Sequence, residues 1–595
     1  MAYRTHNCGE LRASDIGQRI KLAGWVKDVR NFGKLTFVTM RDHYGITQLF
    51  FPTDSPLTDE VNKLKPESVI IIEGLVQSRE DRVNTEMPTG EIEILCDKLT
   101  IDSLVESLPF PLNDILPNEE LRLKYRFLDL RRPRLQENLK LRAKIIYELR
   151  KYMIEELDFM EIQTPILTVS SPEGARDFVV PCRVHPGKFY ALPQAPQQYK
   201  QLLMCSGIDK YFQIAPCFRD EAARADRSPG EFYQLDIEMA FPTQDEIFAA
   251  LEATFVHLNE VLKERGKTVV QVPFPRIPYK EVMEKYGNDK PDIRFGLEMN
   301  DVSGIFETSE FTVFKSNATT KGNCIKAIVA KDTASKSNKF FKDVESFAKK
   351  EGVKGIAYLK YAEGTFTGPV AKFLAESEFE ALKTQLNIVE GDSILFCAGE
   401  LKLVRKAFGK TRVYIANKLE IIPENVLAYA WVVDFPFFEE DEETGKIDFC
   451  HNPFSMPQGG MDDLLNKDPL DILAYQYDII CNGYELSSGA IRNHRPDIMY
   501  KAFEIVGYDR ATVDEKFGHM ISAFSFGAPP HGGLAPGIDR IVMIYADEEN
   551  LREVVAFPMN QKAQELMMGS PAEITQEQLD ELHLKLVAPK VKEEA

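Results

Sequence analysis

Four groups of residues in this chain have the types and spacings needed to hold a polyanion beside a small acid. In the first, Arg219 ends one strand-like run, and Phe232, Gln234, Asp236 and Glu238 alternate along the next. The loop between, Asp220 to Glu231, is too long for a tight turn and carries Arg224 and Arg227, so it suits closure over a polyanion. In the second group, Gln197 and Lys200 open a helix, whose N-terminal field favours a carboxylate. The third is the carboxylate pair Asp478 and Glu485, hard oxygen donors of the kind that bind a divalent cation. Their odd spacing would point them to opposite faces of a regular strand, so a shared site requires a bulge or turn at Asn482-Gly483. In the fourth, glycines 532, 533 and 537 let a ligand approach the backbone, and Arg540 follows on the first turn of a helix.

The elements that must position these groups are legible as periodicities. Phe212, Ile214 and Phe218 alternate with Gln213, Cys217 and Arg219, and Tyr233, Leu235, Ile237 and Met239 form the apolar side of the following run, which together predict an antiparallel hairpin. Apolar residues recur at three and four from Leu135 to Leu157, predicting a long amphipathic helix, and the FMEIQTPILT strand after it stops at Pro165. Between Arg19 and Thr100, five short strand-like runs with one helical interlude predict a small closed barrel of the OB type. On it Phe37 shares a face with Thr39, and Gln48 with Phe50, an aromatic beside polar groups as stacking on an unpaired base requires. The basic run Leu121–Arg134 reads as a connector, either lying along a phosphate backbone or solvated. After a hinge-like stretch at Tyr286–Phe295 the pattern changes until about Glu420, predicting a separate inserted α/β domain. Its Gly409-Lys410-Thr411 lacks the upstream glycine of a phosphate loop and reads as an ordinary loop.

With 595 residues the chain exceeds one domain. A net charge of −20 confines any nucleic-acid binding to a local basic surface. The nine cysteines are scattered with no CxxC pair, which argues against a disulfide framework or a zinc knuckle and fits a reducing cytoplasm. No signal peptide or membrane-length apolar run is apparent, so a soluble cytoplasmic protein is expected.

The hairpin, with Arg219, Glu221, a charged loop, Phe232 and Asp236, resembles motif 2 of the class II aminoacyl-tRNA synthetases. The helix, strand and proline around residues 135–165 resemble motif 1, the dimer-forming element, and HGGLAPGIDR resembles motif 3. The run GWVKDVRNFGKLTFVTMRDHYGITQLFF is similar to the anticodon-binding barrel of the aspartyl-tRNA synthetases, whose bacterial-type members also carry a large insertion, the GAD domain. The resemblance implies that Arg219 grips the α-phosphate of ATP and the amino-acid carboxylate, that Phe232 stacks on adenine, and that Asp220, Glu221, Ser228, Glu485, Gly537, Ile538, Asp539 and Arg540 complete the ATP site. It implies an aspartate pocket of Glu173, Gln197, Lys200, Arg219, Asp236, His451 and Arg492, with Glu173 on a flipping loop and Arg492 forking onto the side-chain carboxylate. Mg²⁺ would sit with ATP on Asp478 and Glu485, and Arg30, Phe37, Gln48, Arg79 and Glu93 would read the anticodon. The chain departs from the family pattern where RSPGEF puts Ser228 in place of a glutamine and where HNPF puts Asn452 in place of a second histidine.

The expected fold is multidomain α+β: an OB-fold barrel (1–105), a basic hinge (106–134), an antiparallel class II catalytic domain in two parts (135–288 and 423–570), an inserted GAD-like α/β domain (289–422) and a tail (571–595). The resemblance implies activation of L-aspartate with ATP and transfer to tRNA(Asp) by a homodimer, Arg219, Glu485 and Arg540 being the catalytic residues. Alternatives are an enzyme that also charges tRNA(Asn), a lysyl- or asparaginyl-type relative, and a non-charging tRNA-binding paralogue. Lys200 and Arg492 oppose a cationic or amide substrate. A silent paralogue would have no need of Arg219, Glu485 and Arg540. Neither an HIGH-like nor a KMSKS-like sequence occurs, which disfavours class I chemistry.

Overall fold

The computed structural model describes residues 2–32, 35–113, 115–170, 175–441 and 444–587. The chain divides into two compact units, residues 1–117 and 118–595. In the first, β1 (Arg19–Phe32), β2 (Leu35–Arg41), β3 (Ile46–Phe51), β4 (Val69–Ser78) and β5 (Ile92–Ser103) close into a barrel in the order β1-β2-β3-β5-β4. Alternation puts Leu22, Val38, Met40, Ile70, Ile72 and Ile94 inside, each without solvent exposure. Closure leaves no free strand edge, as expected of an OB-type barrel.

In the second unit the chain forms α1 (Pro133–Glu155), β6 (Met160–Glu161), α2 (Gln197–Cys205), β7 (Lys210–Arg219), β8 (Gly230–Ala240), α3 (Gln244–Val261) and β9 (Arg276–Pro278). Then follow β10 (Met299–Asp301), β11 (Asn323–Ala330), α4 (Asn338–Lys350), β12 (Ala357–Ala362), β13 (Thr365–Thr367), β14 (Ser393–Glu400) and α5 (Leu401–Leu419). The chain returns through β15 (Tyr429–Val433), β16 (Gln476–Cys481), β17 (Tyr484–Ile491), β18 (His531–Leu534) and α6 (Ile538–Tyr545). An eight-stranded sheet runs β9-β15-β16-β17-β18-β8-β7-β6, and its interior pairings are antiparallel. One face packs on α1, α3 and α6 through Leu149, Phe248, Phe255 and Val542, with Phe212, Leu235, Trp431 and Ile479 supplied by the sheet. Because side chains alternate across a strand, Asp236, Glu238 and Asp478 are turned to the opposite face, where the site lies.

The insertion has its own sheet, β10-β11-β14-β12-β13, buried on both faces. Ile328, Leu395 and Cys397 pack toward α4 and α5, while Ile325, Ala327, Ile394 and Phe396 fill a second core on the other side. It nevertheless belongs to the same compact unit as the eight-stranded sheet. Glu284 is ion-paired to both Lys326 and Arg405, so a partly exposed charge cluster joins it to the chain that precedes it.

Two local expectations are corrected. Gly409-Lys410-Thr411 lies inside α5 and is not a loop; a Cβ on Gly409 would fall 2.4 Å from the Tyr286 carbonyl oxygen, so glycine marks a close approach of helix to backbone. The basic connector is neither a solvated linker nor a free phosphate strip at three of its arginines. Arg122 pairs with Asp129 and Glu553 at 2.9 and 2.7 Å, Arg132 donates to Asp129 at 2.8 Å, and Arg126 donates to the carbonyls of Arg552, Val555 and Ala556. Guanidinium groups buried in this way are held by their partners and cannot track a ligand.

Candidate functional site

A cavity of about 600 Å³ opens on the polar face of the large sheet and brings together Gln197, Lys200, Arg219, Asp236, Glu485 and Arg492. At one end, β8 presents Asp236 and Glu238 two residues apart, and α2 and the end of β17 bring in Lys200 and Arg492. The Lys200 ammonium lies 2.7 Å from Asp236 and 3.3 Å from Glu238, and Arg492 donates its Nε and Nη2 to Glu238 at 2.9 and 3.2 Å. All four are buried, and their charges sum to zero. Burial pushes the Glu238 carboxyl up, but Arg492 and Lys200 outweigh it and hold it below the ordinary carboxylate value. At Asp236 burial outweighs Lys200, so its pKa is raised, and its buried Oδ2 has no hydrogen-bond partner among the described residues. The expected fork of Arg492 onto a ligand is thus already engaged by Glu238, which the period-two alternation had placed on this face without assigning it a role.

Beneath this end, Gln197 donates to Gln201, and the Gln201 amide meets His531 Nε2 at 2.9 Å. Burial brings His531 down to about 4; with its Nδ1 bonded to the Pro529 carbonyl, the imidazole is neutral and accepts at Nε2.

The middle of the cavity is built by the β7–β8 hairpin. Arg219 and Phe232 sit diagonally across it, the guanidinium carbon 5.0 Å from the ring centroid. Glu221 accepts from Arg227 at 2.5 Å, so the long loop carries its own ion pair, and Ser228 also lines the cavity. Asp220 does not; its backbone N–H donates to the Arg176 carbonyl and ties the hairpin to the segment that begins at Ala175. Glu173 lies outside the described residues. Gln194, absent from the expected set, donates to Ala175 O and Asp177 and so holds that segment against the site.

In the glycine-rich stretch only Gly537 faces open space, the nearest atom to a Cβ there being 3.9 Å away. A Cβ on Gly533 would lie 2.0 Å from the Ile237 carbonyl oxygen, so the glycines in β18 serve sheet packing and not ligand approach. Ile538 is fully buried in the core, and the Asp539 carboxylate is engaged by Arg142 and the Tyr233 N–H, so neither presents a free side chain to a nucleotide. Arg540 lines the cavity, with Nη1 on the Glu485 carbonyl at 2.5 Å and Nε on the Asp226 carbonyl at 3.2 Å.

At the far end, the odd spacing of Asp478 and Glu485 is resolved as expected. Asn482 and Gly483 turn with φ of 52° and 88°, and the β16–β17 register shifts between Ile479 and Ile480, leaving Leu486 unpaired. A third carboxylate joins them: Asp289, from the hinge-like stretch, has an oxygen within 4.8 Å of both. No periodicity or spacing signals it. Lys290 lies 3.2 Å from Glu485. Burial and the neighbouring Glu485 push Asp478 well above the carboxylate range, and its Oδ1 has no partner. Burial raises Glu485 as well, but Lys290 and Arg540 overcome it and bring it below its ordinary value. An oxygen-rich cluster with an orphaned buried oxygen fits a Mg²⁺-type ion. His451 stands exposed at the rim, its ring edge-on to Phe435 at 5.3 Å, and Asn452 caps its own loop by accepting from the Phe454 N–H.

On the barrel, Gln48 and Gln77 each donate at 2.8 Å to Glu93, and Arg30, opposite Phe37 in the β1–β2 register, reaches Asp28 and Thr39. Phe37 is stacked on Phe50 at 5.2 Å with Phe32 edge-on. Arg79 has two buried guanidinium nitrogens, Nε and Nη1, without partners. The five expected residues thus fall on or beside one polar and aromatic face.

Comparison with known proteins agrees with this architecture. Residues 20–102 match the OB-fold nucleic acid binding domain, and residues 118–561 match the tRNA synthetases class II (D, K and N). The aspartate–tRNA(Asp/Asn) ligase of Chlorobium phaeobacteroides (strain BS1) is 56% identical over 591 residues, covering 99% of this chain and 96% of that protein. The aspartate–tRNA ligase of Streptomyces avermitilis is 53% identical over 593 residues, covering 99% and 100%. Among solved structures, an aspartyl tRNA synthetase from Entamoeba histolytica shares the fold with a TM-score of 0.56 at 19% identity, over 92% of this chain and 89% of that one. With Arg219 and Phe232 of the hairpin, Glu485, Gly537 and Arg540 in one cavity, and with a match spanning most of its length, the chain belongs to the class II tRNA synthetases of the D, K and N group.

Proposed function

We propose that the chain is an aspartate–tRNA ligase, which activates L-aspartate with ATP and transfers it to the 3′ end of tRNA(Asp). The observation that carries this reading is the single cavity that Arg219 lines together with the buried Lys200 and Arg492 and with Glu485 of the carboxylate cluster. Aspartate enters at the Lys200 end, its ammonium donating to the orphaned Asp236 Oδ2 and its side-chain carboxylate facing the two cations. A cationic side chain would be repelled there. ATP lies across Phe232, with Arg540 on its phosphates. The α-carboxylate attacks the α-phosphate in line and pyrophosphate leaves. No general base is needed, because the nucleophile is already ionised; Arg219 neutralises the charge that accumulates between the reactants. Asp478 and Glu485 would hold Mg²⁺, which when bound draws charge from the phosphate oxygens.

The polar face of the barrel, with Phe37 as stacking platform and Arg79 as a free cation, suits the unpaired bases of an anticodon. Exposed Tyr147, Ile154, Met160, Ile166 and Leu167, on α1 and the stretch after it, suit a homodimer interface. Among the described residues no helix is long and apolar enough to cross a membrane, and we place the reaction in the cytoplasm.

A second reading, charging of tRNA(Asn) as well, is favoured by the Asp/Asn designation of the Chlorobium relative. The test is attachment of labelled aspartate to both purified transcripts at physiological salt. Charging of tRNA(Asp) alone gives the discriminating enzyme and comparable charging of both the relaxed one. Failure with both overturns the proposal.

A further inference from the structure

Residues Tyr286–Phe295 lie at the boundary of the insertion, yet they deliver Asp289 and Lys290 to the carboxylates Asp478 and Glu485. The insertion's last helix, α5, holds that segment from behind. Arg412, on α5 and fully buried, donates to the Asp292 and Gly296 carbonyls at 2.6 Å each, and its guanidinium packs over the rings of Tyr286 at 4.8 Å and Phe295 at 4.2 Å. One turn earlier Gly409 lets the helix backbone close on Tyr286. On the other side, the Asn482-Gly483 turn, which sets the register of Asp478 and Glu485, rests on Asp292, a Cβ on Gly483 falling 3.3 Å from the Asp292 Cβ. The segment is therefore gripped between the insertion and the hairpin that carries the other two carboxylates.

We infer that Asp289 is a third carboxylate ligand of the divalent cation that accompanies ATP, and that the inserted domain positions it through α5. This rests on the assignment of Asp478 and Glu485 to that cation. Three features beyond an acidic cluster carry it. Among the described residues the Asp478 Oδ1 is buried without a partner, and it belongs to the same cluster; the carboxylates come from two separate stretches, the Asp289 segment and the β16–β17 hairpin, that the fold converges on one point; and the Asp289 side chain is only 27% exposed and shares the Lys290 ammonium, 3.8 Å away, with Glu485, a negative excess that a divalent cation would offset. The insertion, which has no catalytic constellation of its own, then has a role in the reaction it interrupts in sequence.

The test uses the full-length protein and Mn²⁺, counted by electron paramagnetic resonance with and without a non-hydrolysable ATP analogue. D289N should weaken Mn²⁺ binding about tenfold, as D478N does, while aspartate binding measured by calorimetry stays unchanged. G409A, which touches no ligand, should weaken Mn²⁺ by a smaller factor of about threefold by displacing the segment. If D289N binds Mn²⁺ as the parent does while D478N does not, the inference is overturned and the two-carboxylate site stands. If D289N weakens binding but G409A does not, the positioning role of the insertion is overturned. Failure of the parent to bind Mn²⁺ would overturn both the inference and the cation site on which it rests.

Discussion

The two ends of the cavity treat charge in opposite ways. At the Lys200 end two cations and two carboxylates are buried together and cancel, so the wall is neutral before any ligand arrives. At the Asp478 end three carboxylates converge against Lys290 and Arg540, one carboxyl is pushed well above its ordinary range, and one of its oxygens has no partner. The first is a preorganised frame, rigid because each member holds another, and it recognises by geometry. The second is a charge imbalance that a divalent cation would relieve. A site that must orient a small zwitterion needs the former, and one that must gather a metal and a triphosphate needs the latter.

Breaking the neutral frame should have the largest effect. E238Q leaves Lys200 and Arg492 buried with one carboxylate, and the fold should lose on the order of 3–5 kcal/mol in urea denaturation. D478N, by contrast, replaces a carboxyl whose ionisation in the apo protein is opposed by burial and by Glu485, so the apo form should unfold no earlier than the parent. Equal losses in the two variants would erase the distinction. R219A should cut pyrophosphate exchange by about 10²–10³-fold with little change in stability, since among the described residues the side chain makes one long hydrogen bond, to Gln194 O at 3.4 Å. A stability loss matching the rate loss would make Arg219 structural.

Sharpening the imbalance is a smaller perturbation. K290M removes the cation 3.2 Å from Glu485 and should tighten Mn²⁺ binding by about three- to tenfold; weaker binding would show that Lys290 supports the site. The pH response is the subtlest check. Asp478, with its raised pKa, keeps its proton when folded at pH values where the unfolded chain has lost it. Apo stability from this group therefore falls as pH rises from the ordinary carboxylate range through the raised value. Cation binding must expel that proton, so the stabilisation by Mg²⁺ should grow with pH. His531 has the opposite sign: protonated below 6.5 when unfolded and only near 4 when folded, it makes the fold lose stability as pH drops across that window. Melting curves with and without Mg²⁺ separate the two, because only the first depends on the ion.

Much of this architecture is written in local pattern. The hairpin from Lys210 to Ala240, the barrel strands, α1 and the need for a reset at Asn482-Gly483 all follow from alternation, helical spacing and turn chemistry, which short-range sterics and burial enforce residue by residue. Arg219, Phe232 and Asp236 could be placed on one face, and Lys200 in the first turn of a helix, because a strand's period of two and a helix start are local facts. The tertiary structure alone decided the partners. Nothing in the order of residues says that Glu238 engages Arg492, that the connector arginines are buried on Asp129, Glu553 and backbone carbonyls, or that β18 needs its glycines for Ile237 and Glu238. Asp289 is the clearest case. It reads as part of a hinge because its neighbours carry no periodicity. It becomes a third carboxylate because α5, over a hundred residues later, presses its segment against the hairpin. Coulomb and packing terms act through space, so their outcome depends on which distant segments the fold brings within a few ångströms.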